Sequence, residues 1–232
     1  MTFSMKPAAI VLTLLTVFVS GVASAEATFT PGRFGDGEKS LGKLIRFPEL
    51  RGDTTVAISC TGILTGRGKL DQHSCYRRNP GDETFITEIL RGSRKARLIP
   101  ATYNGRTVDV VFQYRVQFKK EGEELTLQFA ANPGYEENVE AYGSGHIAAQ
   151  RVMAKENWQK SCPRQAKFLV LARANVDYDG TPGAVTIQPG TGIPITDTCR
   201  AALEQTMLNS RFIPAFADGE AVPSTYLEPF GN

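Results

Sequence analysis

The chain has 232 residues, 41% hydrophobic and 22% charged, with a formal net charge of +2. These are ordinary globular values, which exclude wholesale disorder, and so near a balance argues against a nucleic-acid binder. The length suits one or two domains at ~100 to 200 residues each.

Residues 1–25 read as a secretory signal peptide. Lys6 supplies the positive n-region and Ala8 to Val22 the apolar h-region, and Ala23-Ser24-Ala25 is a small-residue cleavage site before Glu26. An uncleaved anchor helix is the competing reading, but the apolar run falls short of the ~20 residues a bilayer span needs. The expected product is a soluble, exported protein that does not span a membrane after cleavage. Loss of Lys6 would leave its charge at +1. That charge is uneven: residues 51–118 hold eleven Lys/Arg against six Asp/Glu, and residues 161–232 hold five against seven.

Residues 26–50 are Gly-rich with scattered charges, either a loose arm or a strand pairing onto the first folded unit. Thr55 to Leu64 is β-branched and apolar, hence a strand, and Gly66-Arg67-Gly68 turns it into a second strand from Lys69 to Tyr76. Asn79-Pro80-Gly81 breaks the chain, and Asp82 is placed to cap a helix with Ile86, Ile89 and Leu90 on one face. Ile99-Pro100-Ala101 ends that helix, and Asn104-Gly105 signals a hairpin. Alternating Val108, Val110, Phe112, Tyr114, Val116 and Phe118 predict a long strand with one apolar face. Glu123 to Ala131 is an added strand folding back on it.

Asn132-Pro133-Gly134 then opens an irregular linker, residues 132–160, with a short helix expected around His146 to Lys155. The earlier pattern returns after it. Phe168 to Tyr178 is a strand, Asp179 to Gly183 a turn, Ala184 to Ile187 a short strand and Pro189 to Pro194 a loop. Thr196 or Asp197 caps a helix carrying Ala201, Ala202, Leu203, Met207 and Leu208, and a closing strand runs through Tyr226. Leu98-Ile99-Pro100-Ala101 with Asn104-Gly105 recurs as Phe212-Ile213-Pro214-Ala215 with Asp218-Gly219 at an offset of 114. Six of the twelve positions from 97 to 108 are identical to their counterparts. The fold class expected is therefore α+β: two tandem units over residues 51–131 and 161–232, each a small antiparallel sheet covered by one helix.

An even count of four cysteines in an exported chain favours disulfides. Cys60 and Cys75 sit symmetrically about Arg67-Gly68, so hairpin pairing sets them opposite each other. Closing about 15 residues is worth roughly 3 kcal/mol on the chain-entropy model. Cys162–Cys199 follows by elimination. A metal reading of His73-Ser74-Cys75 lacks further ligands nearby in sequence, so no metal site is expected.

This order of strand, turn, strand and helix, then an apolar residue with Ile-Pro-Ala, Asn/Asp-Gly and a strand, resembles the C-terminal domain of TonB. The matching stretches are Thr55 to Phe118 and Phe168 to Tyr226. The resemblance implies a periplasmic domain whose sheet edge accepts a peptide strand from a partner, such as a segment of an outer-membrane receptor. TonB also has an inner-membrane anchor and a long Pro-rich spacer. This chain has a cleavable-looking leader instead, and its 13 prolines are scattered. An energy-transducing role is therefore not expected.

Enzyme chemistry finds little support. His73 and His146 are the two candidate histidine bases, and Gly143-Ser144-Gly145-His146 reads as a turn rather than a nucleophile elbow. No phosphate or dinucleotide fingerprint occurs, Arg51-Gly52-Asp53 reads as a loop, and no cofactor is expected. The cluster Arg91, Arg94, Lys95 and Arg97, with Arg77 and Arg78 nearby, is either a solvated helix end or an anion-facing patch. Trp158 and Tyr135 either pack the linker or belong to a binding surface. The favoured expectation is an interaction module, not an enzyme, that binds an envelope protein or peptide along the closing strand at Ser224, Thr225 and Tyr226. Pro223 marks that strand as an edge, open to a partner or blunted against one. The other reading is an envelope enzyme, or an enzyme accessory, with a carboxylate site.

Overall fold

A computed structural model describes residues 27–50, 52–76, 78–163 and 167–231. The signal peptide with its cleavage site, Arg51 and Arg77 lie outside the described residues. The fold is sheet-rich α+β with small antiparallel sheets and few helices. Among the described residues no helix is long and apolar enough to cross a membrane.

The first half begins with β1 (Phe29–Thr30) and the single turn α1 (Leu41–Leu44), followed by the hairpin β2 (Thr54–Leu64) and β3 (Leu70–Cys75). Then come α2 (Asp82–Ser93), the small hairpin β4 (Ala101–Tyr103) and β5 (Arg106–Val108), the long β6 (Val110–Glu121) and β7 (Glu124–Ala130). The main sheet runs β3-β2-β6-β7, antiparallel throughout. Period-two alternation turns Val110, Phe112, Tyr114, Val116 and Phe118 inward, and all five are fully buried. Against them α2 lays Phe85 and Ile89, with the Phe85 and Phe118 rings 4.9 Å apart.

Two details of α2 differ from expectation. Its buried stripe is Phe85, Ile89 and Gly92, with Ile86 and Leu90 half-buried at the border. The cap position belongs to Gly81, at φ 97°, and Asp82 opens the helix proper. The Asp82 carboxylate reaches back to accept the backbone N–H groups of Arg78 (2.9 Å) and Asn79 (2.8 Å), so it braces the preceding loop.

The second half has α3 (Glu136–Tyr142), β8 (Gln150–Arg151), β9 (Phe168–Val176) and β10 (Pro182–Gly192). It continues with α4 (Asp197–Leu208), β11 (Phe212–Ile213), the hairpin β12 (Ala215–Ala217) and β13 (Glu220–Val222), and β14 (Ser224–Gly231). The helix expected around His146 to Lys155 is instead α3, ten residues earlier in the chain. Ile147 to Arg151 stays extended because it pairs with Phe216, Ile213 and Phe212. The strand expected to stop at Ile187 continues, with bulges, to Gly192, since Pro189 loses no ladder bond on an edge strand. Helix α4 is capped by Thr196, whose Oγ1 accepts the N–H of Cys199 at 3.2 Å. Its buried stripe is Cys199, Leu203 and Met207, while Ala201 and Leu208 are exposed. Both expected disulfides, Cys60–Cys75 and Cys162–Cys199, are formed.

The duplication extends further than the sequence suggests. In each half the first long strand is central, flanked by its hairpin partner and by the long strand that follows the helix and a small hairpin: β3-β2-β6 and β10-β9-β14. The hairpin tips match too, Asn104 and Gly105 at φ 50° and 72°, Asp218 and Gly219 at 52° and 88°. Each half is also strapped by a segment preceding it. Thr30 pairs with Thr102 and Arg33 with Ile99, just as Ile147 pairs with Phe216 and Gln150 with Ile213. The N-terminal arm and the linker are therefore equivalent straps, integral to their units.

Candidate functional site

The site follows from where the sheets leave backbone groups unpaired. Strand β14 pairs with β9 on one side only, so ladder alternation turns Thr225 and Leu227 outward. That edge is closed. Asn138 on α3 donates its Nδ2 to the Thr225 carbonyl at 2.7 Å and accepts the Thr225 N–H on Oδ1 at 3.1 Å. One carboxamide thus replaces a neighbouring strand residue. Tyr142 donates its hydroxyl to the Pro223 carbonyl (2.6 Å), and Gln113 on β6 donates to the Leu227 carbonyl (2.5 Å). Pro229 has no N–H to offer. Ser224 and Tyr226 face inward and are buried. At the expected contact positions, Ser224 and Tyr226 are thus buried, and the Thr225 backbone is held by Asn138 beside a cleft lined by Pro223 and Ser224.

Of the other edges, β3 carries a bulge and β10 carries two, with Arg200 holding the Ile187 carbonyl at 2.9 Å. Strand β7 differs from both. Its seven residues hold an unbroken register from Arg115–Ala130 to Glu121–Glu124 across the turn Gly122-Glu123. Alternation from that turn directs the backbone groups of Leu125, Leu127 and Phe129 away from β6. Among the described residues no side chain caps them, and Leu125 is 52% exposed. An open edge exists, then, on the first unit rather than the second.

Two of the clefts bordering β14 bear on the candidate site. One, of about 600 Å³, is walled by Tyr76, Tyr135, Leu169, Leu171, Leu227 and Pro229. The Tyr76 phenol there is pushed up to about 12 by burial and then by Glu228. The other cleft, about 350 Å³, holds Arg151, Glu156, Glu228 and Trp158. Arg151 takes both oxygens of Glu228 at 2.6 Å and also binds Glu156, to which Trp158 donates at 2.8 Å. This carboxylate pair is committed to one guanidinium. Trp158 packs edge-on against Phe230, and Tyr135 lies beneath the Arg173 guanidinium.

His73 lies in a closed network. Ser93 donates its hydroxyl to the Leu90 carbonyl (3.0 Å), so it accepts from His73 Nδ1 (2.8 Å), and Tyr114 donates to His73 Nε2 (2.5 Å). The Ser93 proton is already engaged on the Leu90 carbonyl. His146 is buried, with Nδ1 on the Gly143 carbonyl at 2.7 Å, inside the turn expected there. In the basic cluster Arg91 is bound to Glu88 (2.6 Å) and to the Leu44 carbonyl (3.0 Å), and it holds the Glu88 carboxyl below its usual range. Arg94, Lys95 and Arg97 are at the end of α2, away from both clefts.

Burial lowers His73 to about 4, against about 6.5 in an unfolded chain. Between those values the unfolded chain binds a proton that the folded one refuses, so stability falls as pH drops from 6.5 towards 4. Allowing for its partial exposure, the loss is about 2–3 kcal/mol. Urea unfolding at pH 7 and pH 4.5 should show it, and His73→Gln should flatten the difference. Equal pH dependence in both proteins would remove His73 as the cause.

No family model, curated protein or solved structure matches this chain.

Asn138, Gln113 and Arg151 decide these edges and clefts, and sequence reasoning named none of them. Each is an ordinary polar residue in sequence, and each has a partner far along the chain.

Proposed function

We propose that this is an exported, periplasmic interaction module of two TonB-like units, which takes up an extended segment of an envelope protein by strand addition. An outer-membrane receptor is the kind of partner implied. The module itself performs no chemistry and transduces no energy. The observation supporting this reading is β7, an unbulged, uncapped edge that repeats outward N–H and C=O groups at Leu125, Leu127 and Phe129. The edges of the other large sheets are bulged, proline-bearing or capped, which is how folds discourage unwanted pairing.

Leu125→Pro tests the reading. It deletes one outward N–H and no bond to β6, so the melting temperature should change little while capture of partners from envelope extracts is lost. Thr225→Pro should do the reverse, costing stability because the Asn138 contact breaks. Undiminished capture by Leu125→Pro would remove β7 as the binding edge.

A further inference from the structure

The first hairpin carries a constellation that strand addition does not use. Cys60 Sγ, Cys75 Sγ and His73 Nε2 all lie within 4.8 Å of one another. A bulge places them together. Thr61 pairs with Ser74 but Ile63 with Asp71, so Gly62 faces both Gln72 and His73, with Gln72 at φ 47°. The extra residue shifts the alternation by one and turns His73 and Cys75 to the same face as buried Leu70. The sequence fragment His73-Ser74-Cys75 lacked a further ligand, and the fold supplies Cys60.

The imidazole is also oriented as a metal ligand is. Its Nδ1–H is held by Ser93 Oγ, itself anchored on the Leu90 carbonyl, so Nε2 keeps the lone pair, 3.9 Å from Cys75 Sγ. Fixing the far ring nitrogen in this way is the usual support of a ligating histidine. Tetrahedral Zn²⁺ with Zn–S of ~2.3 Å and Zn–N of ~2.0–2.1 Å sets its ligand atoms roughly 3.5 Å apart. His73 Nε2 and Cys75 Sγ are already close to that spacing, and the two bonded sulfurs must separate to it on reduction.

We propose that the reduced hairpin is a binding site for one thiophilic d¹⁰ cation, Zn²⁺ or Cu⁺, held by Cys60, Cys75 and His73 and closed off when the disulfide forms. Two thiolates and an imidazole favour such cations over hard ones. A dithiol reductant opens the site: its two S–H groups become one disulfide, and Cys60 and Cys75 gain the two hydrogens. Cation binding then releases both thiol protons. The Tyr114 hydroxyl gives up its bond to Nε2 and faces the remaining coordination position. This proposal is independent of the strand-addition reading.

The test uses the purified chain, reduced with a dithiol and desalted without oxygen, and titrated with Co²⁺ as a spectroscopic probe. Reduced wild type should bind one Co²⁺ with thiolate-to-metal charge-transfer absorption, displaced by Zn²⁺, and Cu⁺ competition distinguishes the two natural ions. Zn²⁺ should raise the melting temperature of reduced but not oxidised protein. His73→Gln, which keeps the disulfide for folding, should bind about tenfold or more weakly once reduced. Reduced Cys60→Ser/Cys75→Ser protein should lose the band. No band and no Zn²⁺-dependent shift in reduced wild type would overturn the proposal. So would full-strength binding by His73→Gln, or a band surviving in the double serine variant, which would place the metal at Cys162 and Cys199.

Discussion

Replacing Arg151 with Met is expected to lower stability by about 3–5 kcal/mol, the range for stripping one partner from a buried ion pair. Arg151 is 2% exposed, yet it carries a full charge. Burial disfavours that charge, but Glu228 above all, with Glu156, outweighs the penalty and holds the guanidinium above its ordinary range. Tyr226 adds a hydrogen bond to Glu228 at 2.6 Å, and the Arg151 guanidinium lies 5.6 Å from the Phe230 ring centre. Methionine keeps the stem and the ring contact but leaves the buried Glu228 carboxylate facing the half-buried Glu156. They will respond by taking up protons, so the variant's deficit relative to wild type should shrink as pH falls from 7 to 5. Glu228→Gln should be milder, because Arg151 retains Glu156. Urea unfolding of both variants at both pH values checks this. A Met variant within about 1 kcal/mol of wild type would show that the network is solvated and idle.

The network also marks the boundary of what the sequence discloses. Arg151 and Glu228 are 77 residues apart, and Asn138 and Thr225 are 87 apart. No local pattern announces either pair. Local signals fared better: β-branched runs, Asn104-Gly105 and the Thr196 cap all act within a few residues and were legible. The first disulfide sits between these cases. The turn alone, with Leu64 opposite Leu70, would set Cys60 across from Ser74, and the bulge at Gln72 restores Cys75 to that place. Symmetry about Arg67-Gly68 therefore gave the correct pairing through an incomplete geometry. Helix α3 escaped notice for a related reason. Residues 132–160 look irregular because their order comes from straps and caps on distant strands, not from an amphipathic period of their own. The closing strand was recognisable as an edge, but nothing in it revealed the carboxamide that seals it.

Gly68→Ala and Gly180→Ala should each cost about 2–5 kcal/mol, combining 1–2 for a left-handed alanine with 1–3 for overpacking. The two glycines occupy equivalent hairpin tips at φ 74° and 77°. The bonding around them matches: Thr65 donates to the Lys69 carbonyl and Gly68 to Thr65, as Asp177 donates to the Thr181 carbonyl and Gly180 to Asp177. A Cβ at Gly68 would press into the Leu98 carbonyl oxygen, and one at Gly180 into that of Phe212. Neither tip can easily retreat, since each lies against the segment leaving its unit's helix, and the Leu98 N–H is bonded to the Gly68 carbonyl at 2.9 Å. Gly105 and Gly219 provide the comparison, at φ 72° and 88° with open space around them. Alanine there meets only the conformational cost, about 1–2 kcal/mol. Chemical denaturation of the four variants separates strain from collision. Equal losses at all four positions would mean that the tips have room to move. A large loss at one tip and a small one at the other would mean that the two halves share an outline but not their packing.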